Sequence, residues 1–162
     1  MRNLRVGQST DIHRLMRGRP LILGGVTIDY PCGCLGHSDG DVLLHAIAEA
    51  FLGACGLKDL GTHFSDQDPS NKDRSSMDIL HQVKKIINDH GYEPVNIDSI
   101  IIIEQPKMAP FLDQMIQNVA DVLDMKTSDV NIKATTSERL GYVGQREGVM
   151  AQAVVLVKER NV

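Results

Sequence analysis

Near the start of the chain, Asp11-Ile12-His13 places a carboxylate and an imidazole two residues apart. On an extended backbone, residues i and i+2 project to the same face, so both groups would aim at one spot. A second histidine, His45, closes the segment HSDGDVLLH, which runs from His37 to His45. His45 follows Asp41 by one helical turn, and a helix there puts the two on one face. Asp11, His13 and His45 together make an Asp-His-His set. Three protein ligands with one open position suit a catalytic rather than a structural zinc. Asp41 could then orient the second ring nitrogen of His45. Each part also has a plainer reading: Asp11 as a cap beside a surface His13, and His45 as a core histidine satisfied by a carbonyl or by Asp41. The combination carries the metal reading.

A second group lies in IKATTSERLGYVGQREG, residues 132–148. Thr135, Thr136 and Ser137 precede Glu138, and Gly141, Gly144 and Gly148 loosen the chain around Arg146. Hydroxyls and glycine-exposed amides bind phosphate oxygens, and a lone Glu can hold a hard divalent cation beside them. The same residues also fit a strand, a capped turn and a glycine-rich loop, with Glu138 as a capping acid. EQPKMAP (104–110) reads as a strand end broken by proline. The acidic stretch 56–76, with Asp59, Gly61, Asp66 and Asp68, is the longest expected loop. It is a solvated turn or a sugar-hydroxyl site.

These groups need elements to hold them. Residues 4–10 read as a strand leading into Asp11-Ile12-His13, and 20–30 as a hairpin broken at Gly24-Gly25. Asp41 caps a helix reaching about Cys55, apolar on most sides and therefore buried. Ser75 or Ser76 opens a second helix, which stops at Gly91. Residues 95–105 form a strand whose Ile100–Ile103 run is expected to be buried on both faces. Pro110 starts a third helix, with an apolar stripe from Phe111 to Leu123. Strands follow at 130–136 and 148–159, the last central in its sheet. The predicted fold is α/β, an α+β sandwich. One mixed sheet carries helices on one face, beside a small N-terminal hairpin, all in a single domain over 1–162.

Composition narrows the function classes. At 162 residues and 42% hydrophobic, the chain can bury a substantial core. A net charge of −4, no basic run and no Trp argue against nucleic acid. The N-terminus lacks the apolar core of a secretory signal, and Ile100–Ile103 is too short to span a bilayer. Cys32, Cys34 and Cys55 form no regular framework, which fits free thiols in a reducing, cytoplasmic setting.

Taken together, the D-x-H, HSDGDVLLH, DLGTHFSDQDP, QPKM, NIKATTSERLG and REG segments resemble the 2-C-methyl-D-erythritol 2,4-cyclodiphosphate synthases of non-mevalonate isoprenoid synthesis. The resemblance covers nearly the whole chain. It implies a cytoplasmic homotrimeric lyase with active sites between subunits. Asp11, His13 and His45 would bind Zn2+. Glu138 would carry a second divalent ion, Mg2+ or Mn2+, on the diphosphate, with Thr136 and His37 also in the catalytic group. His37 and Ser38 would contact phosphates or the methylerythritol part, and Asp59, Gly61 and Asp66 the erythritol hydroxyls. Pro106, Lys107, Met108, Ala134, Thr135 and Thr136 would surround the cytidine nucleotide, and Tyr142 and Arg146 would add substrate contacts. The implied reaction closes 4-diphosphocytidyl-2-C-methyl-D-erythritol 2-phosphate on itself and expels CMP. A zinc phosphohydrolase and a non-catalytic, zinc-stabilised protein that binds cytidine nucleotides are the alternatives.

The chain departs from the family at three places. Arg146 lies one residue from the arginine common there, and on an extended chain that shift reverses a side chain. Gly7-Gln8-Ser9-Thr10 stands where a glycine and an aromatic are frequent, and Ser65 where proline is.

Overall fold

The computed structural model describes residues 3–65 and 74–160. Its main sheet has five strands in the order β4-β1-β7-β5-β6. β1 is Leu4–Arg17, β4 is Cys32–Cys34, β5 is Tyr92–Ile102, β6 is Val130–Thr135 and β7 is Gly148–Glu159. β7 lies in the middle, as its apolar run predicts. The sheet is mixed: β5 and β6 run parallel and the other pairs antiparallel. β2 (Leu21–Leu23) and β3 (Val26–Ile28) form the separate hairpin. Gly24 and Gly25 both have positive φ, at 56° and 71°. A two-residue turn whose twist matches its strands requires that conformation, and glycine adopts it without steric cost.

Three longer helices cover one face: α1 (Val42–Ala54), α3 (Ser76–Asp89) and α4 (Leu112–Leu123). α1 is buried almost all round because it packs on β1 and β7 below and on α3 beside it. Its N-cap is Asp41. Asp41 Oδ1 accepts the Leu44 N–H at 3.1 Å and the Gly24 N–H at 3.0 Å, while Oδ2 accepts the Gly25 N–H at 2.8 Å. One carboxylate therefore ties the hairpin turn to the start of α1. Burial pushes its pKa up, to about 6, against these three donors, which favour the charge. Asn118 of α4 holds the same turn from the other side, donating to the Gly24 carbonyl at 2.9 Å.

Several elements differ from the sequence reading. β1 runs on to Arg17 and so contains Asp11 and His13, rather than ending before them. β4 was missed because Cys-Gly-Cys carries no strand signal; its partner Leu15–Arg17 supplies the pairing. The expected loop 56–76 contains a short helix, α2 (Leu60–His63), capped by Asp59. A further turn, α5 (Gly141–Gly144), interrupts the glycine-rich loop. Pro110 sits in a 3-10 turn, Ala109–Phe111, just ahead of α4. The Ile100–Ile103 run is not buried on both sides: Ile101 and Ile103 face the helices, while Ile100 and Ile102 stay half-exposed.

That other face of the sheet is uncovered in the single chain. It shows Leu4, Val6 and Ile12 from β1 and Val154 from β7; Val6 is 66% exposed. No helix among the described residues is long and apolar enough to cross a membrane.

α1 reaches β1 closely because residue 7 is glycine. A Cβ there would lie 1.9 Å from the Ala50 carbonyl oxygen and 2.8 Å from the Ala54 nitrogen. Gly7→Ala should therefore push α1 off the sheet and cost about 1–3 kcal/mol or more by overpacking. Urea unfolding would register this as a lower midpoint at similar slope.

Candidate metal and phosphate site

Asp11 and His13 leave β1 on the same face, as their spacing predicts, and meet His45 from α1. Asp11 Oδ2 lies 3.0 Å from His13 Nε2 and 3.2 Å from His45 Nδ1, and the two ring nitrogens are 3.3 Å apart. All three ligand atoms fall within 4.8 Å of one another. Their chemistry fits a divalent metal such as zinc: one carboxylate oxygen and two imidazole nitrogens converging from rigid elements. Burial disfavours the Asp11 carboxylate, but hydrogen bonds and charge from His13 and His45 outweigh it and hold its pKa below the ordinary range. Burial likewise works against the His13 cation, and the Asp11 carboxylate more than compensates, raising its pKa.

The far side of each ring is anchored. His13 Nδ1 lies 2.6 Å from the Leu35 carbonyl oxygen, so it donates there and Nε2 is the nitrogen that faces inward, toward Asp11. Gly36 follows at once, and a Cβ on it would come within 3.1 Å of the His13 ring. The outer nitrogen of His45 does not meet Asp41, contrary to the sequence reading. Asp41 is fully occupied by backbone amides at the helix cap. His45 Nε2 instead lies 3.1 Å from Ser38 Oγ and 2.9 Å from Ser76 Oγ.

A cavity of ≈ 650 Å³ opens beside the triad. His37, Ser38, Glu49, Gly61 and Phe64 line it together with the three ligand residues. Asp59 spends its Oδ1 on the α2 cap, accepting Thr62 N–H at 2.9 Å and Thr62 Oγ1–H at 2.6 Å. Those bonds hold its pKa down. Asp66 and Asp68 lie outside the described residues.

The second group gathers elsewhere. β5 and β6 pair in parallel with Ile101 opposite Ala134 and Ile102 opposite Thr135, and Ile103 N–H donates to the Thr135 carbonyl at 3.0 Å. The segments 104–108 and 134–138 therefore leave neighbouring strands at the same end of the sheet. Ala134, Thr135 and Thr136 are exposed, whereas Met108 is buried. Glu138 and Arg139 both have positive φ. Glu104, which reads in the sequence as a strand end, holds this turn: its Oε1 accepts Ser137 N–H, Arg139 N–H and the Ser137 hydroxyl at 3.0, 3.0 and 3.1 Å. The Thr136 hydroxyl faces the Glu138 carboxylate at 3.3 Å. Arg146 is exposed at positive φ between α5 and β7, so its backbone is not extended and the side-chain reversal expected there does not apply. Tyr142 is also exposed, with its hydroxyl 3.6 Å from Met150 Sδ.

Among the described residues, the cavity at the triad does not reach the second group. Asp11 pairs with Ala151, Ala151 with Ile101, and Ile101 with Ala134. Three strand spacings, roughly 14 Å, therefore separate Asp11 from Ala134 across the sheet. None of residues 104–108 or 134–138 lines the cavity at the triad.

All three cysteines are free, and burial pushes Cys34 up to about 12 and Cys55 up to about 11.

Comparison with known proteins follows the same lines. A model of the YgbB family matches residues 4–158. A 2-C-methyl-D-erythritol 2,4-cyclodiphosphate synthase of Chlorobaculum parvum is 50% identical over 157 residues, covering 97% of this chain and 100% of that protein. One from a Geobacillus species is 53% identical over 156 residues, covering 96% and 99%. Among solved structures, the CDP complex of Plasmodium falciparum IspF superposes with a TM-score of 0.86 at 33% identity, covering 98% of both chains. With a family model spanning nearly all of its length and relatives at half its residues identical, the chain belongs to the YgbB family, that of the 2-C-methyl-D-erythritol 2,4-cyclodiphosphate synthases.

Proposed function

We infer that this chain is a single cyclodiphosphate synthase domain that converts 4-diphosphocytidyl-2-C-methyl-D-erythritol 2-phosphate to 2-C-methyl-D-erythritol 2,4-cyclodiphosphate and CMP. The observation that carries the reading is the convergence of Asp11, His13 and His45 on one point at the edge of a cavity large enough for a sugar phosphate. The substrate's 2-phosphate oxygen attacks its own β-phosphorus, a new P–O–P link closes, and the bond from the β-phosphorus to the bridging oxygen breaks. CMP leaves with that oxygen. Nucleophile and electrophile belong to one molecule, so the protein's task is alignment and charge neutralisation. Alignment alone is worth roughly 7–11 kcal/mol in favourable intramolecular cases.

Asp11 Oδ2, His13 Nε2 and His45 Nδ1 would hold Zn2+, with each ring's other nitrogen anchored as described. Glu138, with Thr136 beside it, would hold Mg2+ or Mn2+. A single carboxylate would suffice there, since substrate phosphate oxygens and water can supply the remaining ligands of such an ion. Bound ions polarise phosphoryl oxygens and neutralise the charge that gathers as two anionic groups approach. His37 and Ser38 would grip phosphate oxygens at the cavity mouth. Gly61 and Asp59, with Asp66, would take the erythritol hydroxyls. Pro106, Lys107, Met108, Ala134, Thr135 and Thr136 would bind the cytidine nucleotide, with further contacts from Tyr142 and Arg146.

The roughly 14 Å between the two groups supports a site assembled from neighbouring subunits. The uncovered sheet face supports the same conclusion: exposed Val6, Ile12 and Val154 form an apolar surface of the kind that marks protein contacts. We therefore read the protein as a cytoplasmic homotrimer with active sites between subunits.

Purified protein with substrate and divalent metal should release CMP and the cyclic product. A linear hydrolysed product would favour the phosphohydrolase reading, and CDP binding without turnover the non-catalytic one. His45→Ala should abolish zinc binding and turnover while the chain stays folded, as checked by zinc analysis and circular dichroism. Sedimentation should give three times the 17.8 kDa chain mass. Val154→Asp, which puts a charge on the open sheet face, should yield smaller species that still bind zinc but no longer turn over.

A further inference from the structure

We propose that Ser76, held by Asp39, is a positioning residue that makes Nδ1 the metal-facing nitrogen of His45. The inference rests on the zinc reading above. Nothing in the sequence drew attention to Ser76 beyond its place at the start of α3, 31 residues after His45 in the chain.

Hydrogen-bond direction fixes the assignment. Asp39 has a carboxylate, which only accepts. It receives the Ser76 backbone N–H at 3.0 Å on Oδ2, and the Ser76 hydroxyl proton on Oδ1. A serine hydroxyl has one proton. With that proton spent on Asp39, Ser76 Oγ can offer only lone pairs to His45 Nε2, 2.9 Å away. Ser38 Oγ, at 3.1 Å, already accepts the Gly40 N–H and provides a second oxygen at the same nitrogen. Nε2 therefore carries the proton when a metal is bound, and Nδ1, on the side of Asp11 and His13, is the nitrogen whose lone pair is left for the ion. Ser76 is 1% exposed, so water does not compete for these bonds.

The arrangement is the reverse of the one at His13, where Nδ1 is anchored on a carbonyl and Nε2 faces inward. Two histidines on different elements thus present different ring nitrogens to one point. On the His45 side the device is a carboxylate acting through a hydroxyl, and it ties the first turn of α3 to the metal-binding end of α1.

Asp39 also helps to cap α3, since it accepts the Ser76 N–H. A purely structural role would affect the stability of α3 but would leave the ring state of His45 and the metal affinity unchanged. The test therefore reads zinc affinity by competition with a chromophoric chelator, together with urea unfolding. Ser76→Ala should bind zinc about 10–100-fold more weakly, the range for loss of such supporting bonds. Asp39→Asn keeps an oxygen for the α3 cap but can donate to Ser76 Oγ, freeing the serine proton to point at Nε2. It should also weaken zinc binding, by about 10-fold. In the zinc-loaded parent, long-range proton–nitrogen correlation should show His45 Nε2 bearing the proton and Nδ1 bearing none. That measurement needs no variant, so it stands even where Ser76→Ala fails to fold. Unchanged zinc affinity in folded Ser76→Ala overturns the inference while leaving the zinc site intact, whereas a proton on His45 Nδ1 in the zinc-loaded chain overturns the inference and the ligand set together. A parent chain that binds no zinc overturns both.

Discussion

The closeness of α1 to β1 is the constraint on which the rest of the structure depends. Asp11 and His13 sit on the strand, and His45 sits on the helix. They meet only because the helix backbone lies against the strand at Gly7, where no side chain intervenes. A helix held farther out by one methyl group would carry His45 away from a carboxylate it now approaches to 3.2 Å. The apolar envelope of α1 follows from the same demand. A helix pressed into the sheet on one side and covered by α3 on the other has almost no solvent face, so Val42 to Ala54 reads as apolar nearly all round.

Polar groups at the mouth of α1 answer to this burial. A buried helix start leaves amide donors that need acceptors, and Asp41 supplies one carboxylate for Leu44 and for both glycines of the hairpin turn. Asp39 and Ser38 turn instead toward Ser76 and His45. The HSDGD segment therefore does two jobs side by side. One aspartate locks the fold at the helix cap, and its neighbour two residues earlier supports the candidate metal ligand.

Much of this was legible in the sequence. The i, i+2 spacing of Asp11 and His13 marked a shared face, Asp41 marked a helix start, and Gly24-Gly25 marked a hairpin turn. What escaped reading depends on contacts distant along the chain. Cys32–Cys34 becomes a strand only because β1 continues past His13 to pair with it. Sequence spacing offers Asp41 as a partner for His45, whereas the fold supplies Ser76 from another helix. Glu104 looked like the end of a strand, yet it gathers the amides that shape the turn at Glu138. The Ile100–Ile103 run reads as doubly buried, and one chain leaves half of it open. In the proposed trimer that face would be covered, which is the burial the isoleucine run leads one to expect.

The central claim is that a carboxylate and two imidazoles from β1 and α1 hold one metal ion at the edge of a phosphate-binding cavity completed by a neighbouring chain. Anomalous diffraction at the zinc edge, from crystals grown with zinc and CDP, tests it most directly. The account predicts a single strong peak in contact with Asp11 Oδ2, His13 Nε2 and His45 Nδ1, with the nucleotide bridging to Ala134-Thr135-Thr136 of an adjacent subunit. A zinc peak elsewhere with this triangle vacant, or CDP held wholly by the chain that binds the ion, would contradict it.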